Sequence, residues 1–369
     1  MKKLRLGFVG TGGMGKNHIK SALAAKNIEV TAVCDIKKKV ADEVGAEHGL
    51  PVFYDHHALF KSGLIDAVMI VTPHYAHTTV AVDGFAAGYH VISDKPMAVH
   101  KADGIKMLDA QKASGKKFGV MFQLRTSPAN KKFKELLESG ELGEIKRINW
   151  IITTWLRTQQ YFNSGDWRAS WRGEGGGALL NQCPHQLDLF QWFFGMPSKV
   201  TAFCHLGKYH NIEVEDEVTA YMEFADGKTA VFVTSTAEAP GTNRLEVTCD
   251  RGRLVLEDGV LNFKRTEASV SEVIANSKET FPTIPVWDVN IPVPSNEISA
   301  TEVFEKFADA VLNDREPIVT GADALNELEL GNAMLLSSLL KKEVKLPLDA
   351  ALYEAELMKL VATSSYKPV

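Results

Sequence analysis

Lys95 is the first residue of the sequence with a type and position suited to proton chemistry. It follows the apolar run His90–Ser93, so it lies at the C-terminal end of a predicted strand. A lysine in that position can donate a hydrogen bond to a substrate oxygen, and partial burial would lower its pKa toward the working range. A surface lysine beside the turn residue Pro96 would leave the same pattern, so the sequence keeps both interpretations open.

His185 is the second residue that is able to handle a proton. Pro184 suits the first turn of a helix whose apolar face includes Leu187 and Phe190. Asp188 follows three residues later, within reach of the imidazole. A neutral His185 can accept a hydroxyl proton, although a histidine that only caps or packs the helix start would look the same.

A glycine-rich turn after the first predicted strand, Leu4–Val9, predicts a dinucleotide site. Its residues are Gly10, Thr11, Gly12, Gly13, Met14 and Gly15, with the spacing G-x-G-x-x-G. Gly10 makes the turn, Gly12 lets a pyrophosphate approach the backbone, and Gly15 lets the helix pack on the strand. Glycines that only turn the chain are the alternative, but the strand, helix and second strand that surround them favour nucleotide binding.

Asp35 ends the second predicted strand, where a carboxylate can hold both ribose hydroxyls of an adenosine. The same carboxylate repels a 2′-phosphate, so NAD is favoured over NADP. Lys37 or Lys38 would partly offset that repulsion.

Strands that alternate with helices predict a parallel sheet with right-handed crossovers up to about residue 124. Ligands bind at the carboxyl ends of such strands, which adds Thr72, Pro73 and Gln123 to the cofactor rim. His77 begins the next helix with His74, and we interpret both as cap or cofactor-contact residues. No third ligand stands at suitable spacing, so we predict no metal.

The stretch 156–177 is long, polar and aromatic, which is typical of a functional loop. Flat rings beside bidentate donors suit a polyhydroxylated substrate, although the same residues would also serve as core or interface. The candidate substrate residues here are Arg157, Tyr161, Trp167 and Arg168.

Strand-like segments between residues 199 and 265 are separated by turns such as Asp226-Gly227 and Asp258-Gly259. These hairpin signals predict a mostly antiparallel sheet. One face of such a sheet can stay open, so we expect a homodimer or homotetramer through this sheet.

Composition excludes several classes of protein. The chain has 369 residues, a formal charge of −5 and no basic stripe, so we expect no nucleic-acid partner. The four cysteines lack C-x-x-C spacing, which argues against a zinc site or disulfide framework. No apolar stretch approaches the ~20 residues of a membrane span, and the N-terminus leads directly into the first strand. We therefore expect a cytoplasmic enzyme with no membrane partner.

The sequence resembles the glucose–fructose oxidoreductase/inositol dehydrogenase (Gfo/Idh/MocA) family over essentially its whole length. The resemblance is carried by the glycine-rich turn and by Val71-Thr72-Pro73, Asp94-Lys95-Pro96, and Gly175-Gly176-Gly177 followed by His185-Gln186-Leu187-Asp188. The lysine–proline pair and the three glycines before the histidine, in this order and spacing, are its most specific part.

The resemblance implies an NAD(P)-dependent alcohol–ketone oxidoreductase that acts on carbohydrates or cyclitols. It implies that Lys95 steadies the reacting oxygen and that His185 is the acid/base. The family pattern often has aspartate four residues before that histidine, where this chain has Asn181. An asparagine cannot stabilise an imidazolium by charge, so His185 would be a weaker base unless Asp188 does so. Asn181 can still hydrogen-bond a substrate hydroxyl or the imidazole.

We therefore predict an α/β protein with two domains. Residues 1–124 form a Rossmann dinucleotide-binding domain, and residues 125–369 form an α+β domain for substrate binding and oligomerisation. The predicted reaction transfers a hydride between a sugar or cyclitol carbinol and nicotinamide. Two other functions remain open: an enzyme that retains NAD and uses transient oxidation for elimination, and a sugar or nucleotide sensor with reduced catalysis.

Overall fold

The computed structural model describes residues 2–293 and 297–367. Its first sheet has six parallel strands in the order β3-β2-β1-β4-β5-β6. The strands are β1 Leu4–Val9, β2 Ile28–Cys34, β3 Val52–Phe53, β4 Ala67–Ile70, β5 His90–Ser93 and β6 Phe118–Val120. This order is that of the predicted Rossmann fold, and it places the ends of β1 and β4 at the point where the chain reverses direction across the sheet.

Five helices connect these strands. They are α1 Gly13–Leu23, α2 Lys38–His48, α3 His56–Lys61, α4 His74–Ala86 and α5 Lys101–Ser114. The strands between them are almost wholly buried, as parallel strands with both faces covered must be. All six strands therefore end at one rim.

The second sheet has nine strands in the order β14-β13-β12-β11-β7-β10-β9-β8-β15. Only the central pair β7–β10 is parallel, and the other seven pairs are antiparallel. The strands are β7 Ile145–Ile152, β8 Lys199–Leu206, β9 Glu215–Glu223, β10 Thr229–Ser235, β11 Asn243–Cys249, β12 Gly252–Glu257, β13 Val260–Thr266, β14 Val286–Asn290 and β15 Val344–Lys345.

The described residues of this half of the chain form seven helices and two short turns besides the strands. The helices are α6 Pro128–Glu138, α7 Gln159–Phe162, α8 Pro184–Phe194, α9 Val270–Asn276, α10 Ala300–Leu312, α11 Gly321–Leu340 and α12 Ala350–Thr363. The turns are a 3-10 turn, Gln123–Thr126, and a π-helical turn, Ala178–Gln182. Trp150, Phe190 and Phe232 pack edge to face between α8 and one face of the sheet, which places the core there.

Helix α10 returns to the first sheet. Its residues Phe304 and Phe307 share a buried cluster with Leu6 and Phe8 of β1. The first sheet is thus completed by a segment that lies far beyond residue 124. The division at that residue stays a prediction, and its outer ends (residue 1 and residues 368–369) lie outside the described residues, as do residues 294–296.

The predicted fold class is confirmed: a Rossmann-like sheet is followed by a mostly antiparallel one. Sequence reasoning found no pattern between residues 266 and 294, where the structure places α9 and β14. Helix α9 buries none of its residues, and β14 is an edge strand that is almost wholly exposed. Without a buried face, neither element carries the periodicity that marks a helix or strand. Among the described residues, no helix combines the length and apolar composition that crossing a membrane requires.

Candidate active site

The glycine-rich turn leaves room for an anion. Gly10 has a φ of 95°, and a side chain at Gly10 or Gly15 would collide with backbone carbonyl groups. At Gly12 and Gly13, by contrast, an added Cβ would meet no atom within 4 Å. Helix α1 starts just after Gly12 without a side-chain cap, so its first N–H groups face open space. These features fit the pyrophosphate of a dinucleotide.

Asp35 lies where the turn and the end of β2 meet. Its carboxylate accepts hydrogen bonds from the backbone N–H groups of Thr11 and Lys37, each at 2.9 Å. The Thr11 hydroxyl approaches the same carboxylate at 3.3 Å. The side chain is therefore fixed beside the turn and is partly exposed, as an adenosine ribose contact requires.

Thr72, Pro73 and Gln123 lie at the predicted rim. Pro73 is the N-cap residue of α4, and Gln123 begins the 3-10 turn after β6. Within the described part of the chain, the Thr72 hydroxyl and the Gln123 side-chain oxygen have no hydrogen-bond partner. Met14 of the glycine-rich turn lies in the first turn of α1, and its side chain is exposed.

His77 is buried, and both of its ring nitrogens face backbone carbonyls. Nδ1 lies 2.8 Å from Pro96 O, and Nε2 lies 2.7 Å from Thr72 O. The ring thereby ties the loop after β4 to the loop after β5. Its nitrogens are engaged by the protein itself, so its effect on a cofactor would come through the position of those loops.

Lys95 follows the end of β5 and reaches into the second domain. Its Nζ donates to the backbone carbonyl of Asn181 at 2.7 Å and to Asn181 Oδ1 at 3.2 Å. Burial lowers the pKa of Lys95, while the neighbouring Asp94 and Glu174 oppose that change. The surface-lysine interpretation does not describe this residue.

Sequence reasoning missed the pair formed by Asp94 and His18, which lies next to Lys95. Asp94 Oδ1 accepts from the Lys95 N–H at 2.9 Å and lies 3.4 Å from His18 Nε2. Burial disfavours the Asp94 charge, but His18 and Lys95 hold the pKa of that carboxyl below its usual range. His18 lies on α1, and no spacing rule connects it to residue 94.

His185 lies in the first turn of α8, directly after the π-helical turn that carries Asn181. Its ring packs edge to face on Phe122 at 5.6 Å, and Nδ1 has no hydrogen-bond partner among the described residues. Burial and, to a smaller extent, the nearby charge of Lys95 lower the pKa of His185 to about 3. The imidazole is therefore neutral at neutral pH and lies close to the lysine.

Asp188 does not serve His185, and that expectation was wrong. Its two carboxylate oxygens accept from Arg125 Nε at 2.8 Å and Arg125 Nη2 at 2.6 Å. Gln191 adds a third hydrogen bond at 3.2 Å. The carboxylate has no exposed surface, and Arg125 is 3% exposed. Asp188 is therefore half of a buried ion pair that joins α8 to the 3-10 turn.

The aromatic stretch converges on the hydroxyl of Tyr161. Arg168 Nη1 and Gln182 Nε2 each approach this oxygen at 2.8 Å, and Asn181 Nδ2 does so at 3.5 Å. The Arg168 guanidinium also lies over the rings of Tyr161 and Trp167, with its carbon 4.6 and 4.5 Å from their centroids. Four predicted substrate residues are thus brought together around Tyr161, and one of them, Asn181, contacts Lys95.

The Arg157 guanidinium also lies over the Tyr161 ring, with its carbon 5.1 Å from the centroid. Its Nε donates to Gln182 Oε1 at 2.9 Å. The stretch also contacts the first domain, because Trp167 packs edge to face on His74 at 5.2 Å and Tyr75 donates to Trp171 O at 2.8 Å. The candidate site therefore lies between the two sheets.

Glu174 is a second residue that sequence reasoning missed. It is 1% exposed, and its Oε1 accepts a short hydrogen bond from Asn181 Nδ2. Burial raises the pKa of Glu174 to about 7, although Ala169, Arg168 and Asn181 favour its charged form. A glutamate beside three glycines gives no sign of burial, so the sequence held no signal for it.

A metal centre is not needed to account for these contacts. Among the described residues, one group has the spacing of metal ligands: Asp55, His56 and His57 at the start of α3, outside the residues described above. His56 Nε2 is already 2.9 Å from Asp83. The absence of a metal stays a prediction.

Two family models match the chain. One, described as an oxidoreductase family with an NAD-binding Rossmann fold, matches residues 4–122, and the other, a GFO/IDH/MocA C-terminal domain, matches residues 130–255. Together they cover more than half of the chain. The N-terminal domain is therefore an NAD-binding Rossmann domain.

Individual proteins resemble the chain more distantly. An inositol 2-dehydrogenase of Pseudomonas fluorescens is 33% identical over 51% of this chain and 54% of its own. The rhizopine catabolism protein MocA of Rhizobium meliloti is 25% identical over 53% of this chain and 58% of its own. The chain thus spans about half the length of these curated relatives.

A solved structure is similar over a longer range. The WlbA dehydrogenase of Bordetella pertussis, in complex with NADH and UDP-GlcNAcA, has a TM-score of 0.80. It is 26% identical to this chain, and the match covers 94% of this chain and 100% of that protein. Both domains are therefore present together in a solved protein of the same architecture.

Proposed function

The chain belongs to the GFO/IDH/MocA family of oxidoreductases, and from that premise we propose that it interconverts a secondary alcohol and a ketone on a sugar or cyclitol with NAD. Lys95 and His185 handle the proton in this reaction. The proposal extends to residues and substrate what the family match states only for the protein class.

The observation that carries the proposal is the contact between Lys95 and the π-helical turn. The Lys95 ammonium lies 2.7 Å from the carbonyl of Asn181, four residues before His185. A rim residue of the NAD-binding sheet and the start of α8 therefore meet at one place. Two residues on opposite sides of the molecule could not act on the same substrate, so this contact is necessary for the proposed reaction.

Each of the two residues has a distinct role in the proposal. The Lys95 ammonium donates to the substrate oxygen and stabilises the negative charge that develops as the hydroxyl proton leaves. His185 accepts that proton on its imidazole, which the low pKa keeps neutral. In the reduction direction the same imidazole returns the proton.

NAD fits the residues that would hold it. Its pyrophosphate would lie on the open backbone at Gly12 and Gly13, and its adenosine ribose on Asp35. Thr72, Pro73 and Gln123 stand along the same rim. When bound, the nicotinamide accepts or supplies the hydride that the alcohol–ketone exchange requires.

The side chains around the Tyr161 hydroxyl support the proposed substrate class. Rings and amide or guanidinium donors side by side suit the apolar faces and hydroxyl groups of a sugar. The names of the relatives point the same way, since they include an inositol dehydrogenase and a dehydrogenase bound to UDP-GlcNAcA. Arg157, Trp167 and Arg168 are the proposed contacts, with Asn181 between them and Lys95.

We also propose that the nine-stranded sheet pairs with a second copy of the chain. Phe203, Thr219, Val233 and Ile151 stand opposite one another on four neighbouring strands, on the face away from α8. Phe203 is 65% and Ile151 39% exposed. Exposed apolar side chains in a continuous row are typical of an interface. A homodimer or homotetramer would cover them.

The experiment that tests the function is a screen of sugars, cyclitols and their acids with NAD and with NADP, followed by absorbance at 340 nm. We expect net reduced cofactor with NAD and at least one carbohydrate. Product formation without net absorbance would indicate the NAD-retaining alternative. Tight sugar binding without turnover would indicate a sensor.

Lys95→Ala and His185→Ala test the residues. Each should lower turnover by about 10²–10⁴-fold, the usual range for acid–base groups, while NAD binding by fluorescence titration stays nearly unchanged. Lys359→Ala and His57→Ala remove exposed residues of the same types and should leave turnover unchanged. Full activity in either of the first two variants would remove that residue from the mechanism.

A further inference from the structure

Glu174 has no part in the reaction proposed above, yet it lies one side chain away from Lys95. Asn181 Oδ1 accepts from Lys95 Nζ at 3.2 Å, and Asn181 Nδ2 donates to Glu174 Oε1. The amide thus has its oxygen toward the cation and its nitrogen toward the carboxylate. Only one orientation of the amide satisfies both partners.

We propose that Glu174 is a positioning residue that sets the charge of Lys95 through the side chain of Asn181. The family pattern often has an aspartate at position 181. Here the negative charge comes from Glu174, which is hydrogen-bonded to the Asn181 side chain. The consequence for catalysis rests on the proposed reaction, but the charge coupling itself does not.

The surroundings of Glu174 indicate a carboxylate that is held for its charge. Its Oε2 accepts from the Ala169 N–H at 2.6 Å, and Ala169 has a φ of 61°. That conformation is unfavourable for an alanine, so the loop holds the N–H on the carboxylate against a local preference. Both oxygens are therefore occupied by donors, as an ionised carboxylate prefers.

Charged and titratable groups face Glu174 from four directions. Arg168 Nη1 lies 3.9 Å from Oε1, and Lys95 acts from the end of β5. Glu215 of β9 is a like charge nearby, and burial raises its pKa to about 7. His74 of α4 places Nδ1 3.0 Å from the Glu174 carbonyl, and burial keeps it neutral with a pKa lowered to about 3.

These neighbours make the state of Glu174 responsive near neutral pH. Because burial raises the pKa of Glu174 to about 7, the carboxylate is present above that pH and lost below it. With the carboxylate present, Lys95 keeps its proton and can donate to a substrate oxygen. With it protonated, Lys95 loses one of the negative charges that oppose the effect of its burial, so its pKa falls.

The sharpest test moves the charge from one residue to the other. Glu174→Gln removes it, and combining this with Asn181→Asp restores it beside Lys95. In the double variant, the new amide at position 174 can donate from its nitrogen to the new carboxylate at position 181, while its oxygen still accepts from the Ala169 N–H. The hydrogen bonds of the network are thus preserved with their polarity reversed.

The first measurement needs no substrate. The pKa of Lys95 is obtained from the pH dependence of its acetylation by acetic anhydride, read by mass spectrometry of the Lys95 peptide. In Glu174→Gln this pKa should fall by at least about 1, because an opposite charge at this range shifts a pKa by about 1–3. In the double variant it should return to the wild-type value or rise above it. An unchanged pKa in Glu174→Gln overturns the proposal.

The second measurement uses the substrate found by the carbohydrate screen. Glu174→Gln should lower kcat by at least about tenfold and abolish the acidic limb near pH 7, and the double variant should recover most of that loss. Loss in both variants alike would mean that Glu174 serves only the local structure, which overturns the proposal. If no carbohydrate is oxidised, the proposed function fails while the acetylation test still decides the coupling.

Discussion

The residues at the centre of the site form a network in which charge, and not only shape, is controlled. Lys95 and Arg168 carry positive charge, Glu174 is a buried carboxylate, and Asn181 contacts both Lys95 and Glu174. His185 stays neutral because burial and the lysine both oppose its protonation. A donor that keeps its proton and an acceptor that lacks one are what the removal of a hydroxyl proton requires.

At the same scale, we predict that Asp35 selects NAD over NADP. Asp35→Asn keeps an oxygen for the Thr11 or Lys37 N–H but removes the charge that repels a 2′-phosphate. We expect the ratio of kcat/KM for NADP to that for NAD to rise at least about fivefold, since a charge pair at about 4 Å is worth about 1 kcal/mol even in water. Kinetics with each cofactor at a fixed sugar concentration measure it.

The matched control is Glu43→Gln. It removes an exposed carboxylate of α2 whose Oε2 lies 3.9 Å from Lys16 Nζ. Its cofactor ratio should equal that of the wild type. If Asp35→Asn also leaves the ratio unchanged, the carboxylate does not select the cofactor.

At the scale of elements, the π-helical turn Ala178–Gln182 brings the two domains into contact. The last carbonyls of any helical turn lack partners within it, and here the carbonyl of Asn181 is used by Lys95. Such turns are frequent at functional sites for this reason. The turn is held from the other side by Glu215, whose carboxylate accepts from the N–H groups of Gly177 and Leu179 at 2.9 Å each.

The ion pair of Asp188 and Arg125 fixes helix α8 behind the site. Asp188→Asn would leave the buried Arg125 with Asp323 as its charged partner. That contact is weaker, because the two groups are 3.5 Å apart. We expect the free energy of unfolding to fall by about 3–5 kcal/mol, the usual result of breaking a buried pair. Urea denaturation measures the loss.

The comparison for this variant is Glu356→Gln, which breaks the exposed pair with Lys359 and should change stability by less than about 1 kcal/mol. If Asp188 acted on His185 instead, its variant would lose turnover and keep its stability. That result would contradict the structural role.

For the whole molecule, the open face of the nine-stranded sheet predicts the oligomeric state. Phe203→Glu places a charge at the most exposed apolar side chain of that row and should shift the protein toward the monomer in light scattering after gel filtration. Ile274→Glu alters an exposed side chain on α9, outside the sheet, and should leave the mass unchanged. Equal masses for all three proteins would exclude this face as the interface.

The buried titratable groups also predict how stability depends on pH. Burial lowers the pKa of His74 and His185 to about 3 and of His90 to about 4, so below about pH 6.5 the unfolded chain binds protons that the native state does not. Stability is lost there as the pH falls. Burial raises the pKa of Glu174 and Glu215 to about 7, so between about pH 7 and 4.5 the native state binds extra protons and gains stability as the pH falls.

The two effects oppose each other between about pH 6.5 and 4.5. Below that, the histidines act together with carboxylates such as Asp94, whose pKa is held below its usual range by His18 and Lys95 despite its burial. We expect the free energy of unfolding to change little in the upper window and to fall steeply from about pH 4.5 to 3, which denaturation at a series of pH values measures. His90→Asn keeps an acceptor for the Lys117 N–H and should make the loss between about pH 4.5 and 4 shallower by about 0.7–1 kcal/mol per pH unit, because native His90 is itself partly protonated there. A slope equal to that of the wild type would contradict the assignment.

The sequence by itself determined the NAD-binding half of the site. A glycine turn, an acid at the end of β2 and a lysine at the end of β5 are positioned by the strands that precede them, and the carboxyl ends of parallel strands must meet at one rim. These positions follow from local chemistry and one topological rule. Local chemistry and topology did not predict that Asn181 and His185 come close to Lys95. That expectation came from the family resemblance.

Only the tertiary structure decided which charge acts on which residue. Asp188 and His185 are three residues apart in the sequence, yet Asp188 pairs with Arg125, which lies 63 positions earlier in the chain. Glu174 reaches Lys95 through Asn181, and His18 reaches it through Asp94. Burial controls the protonation of these groups, and burial arises when two sheets pack together, which no spacing along one segment encodes.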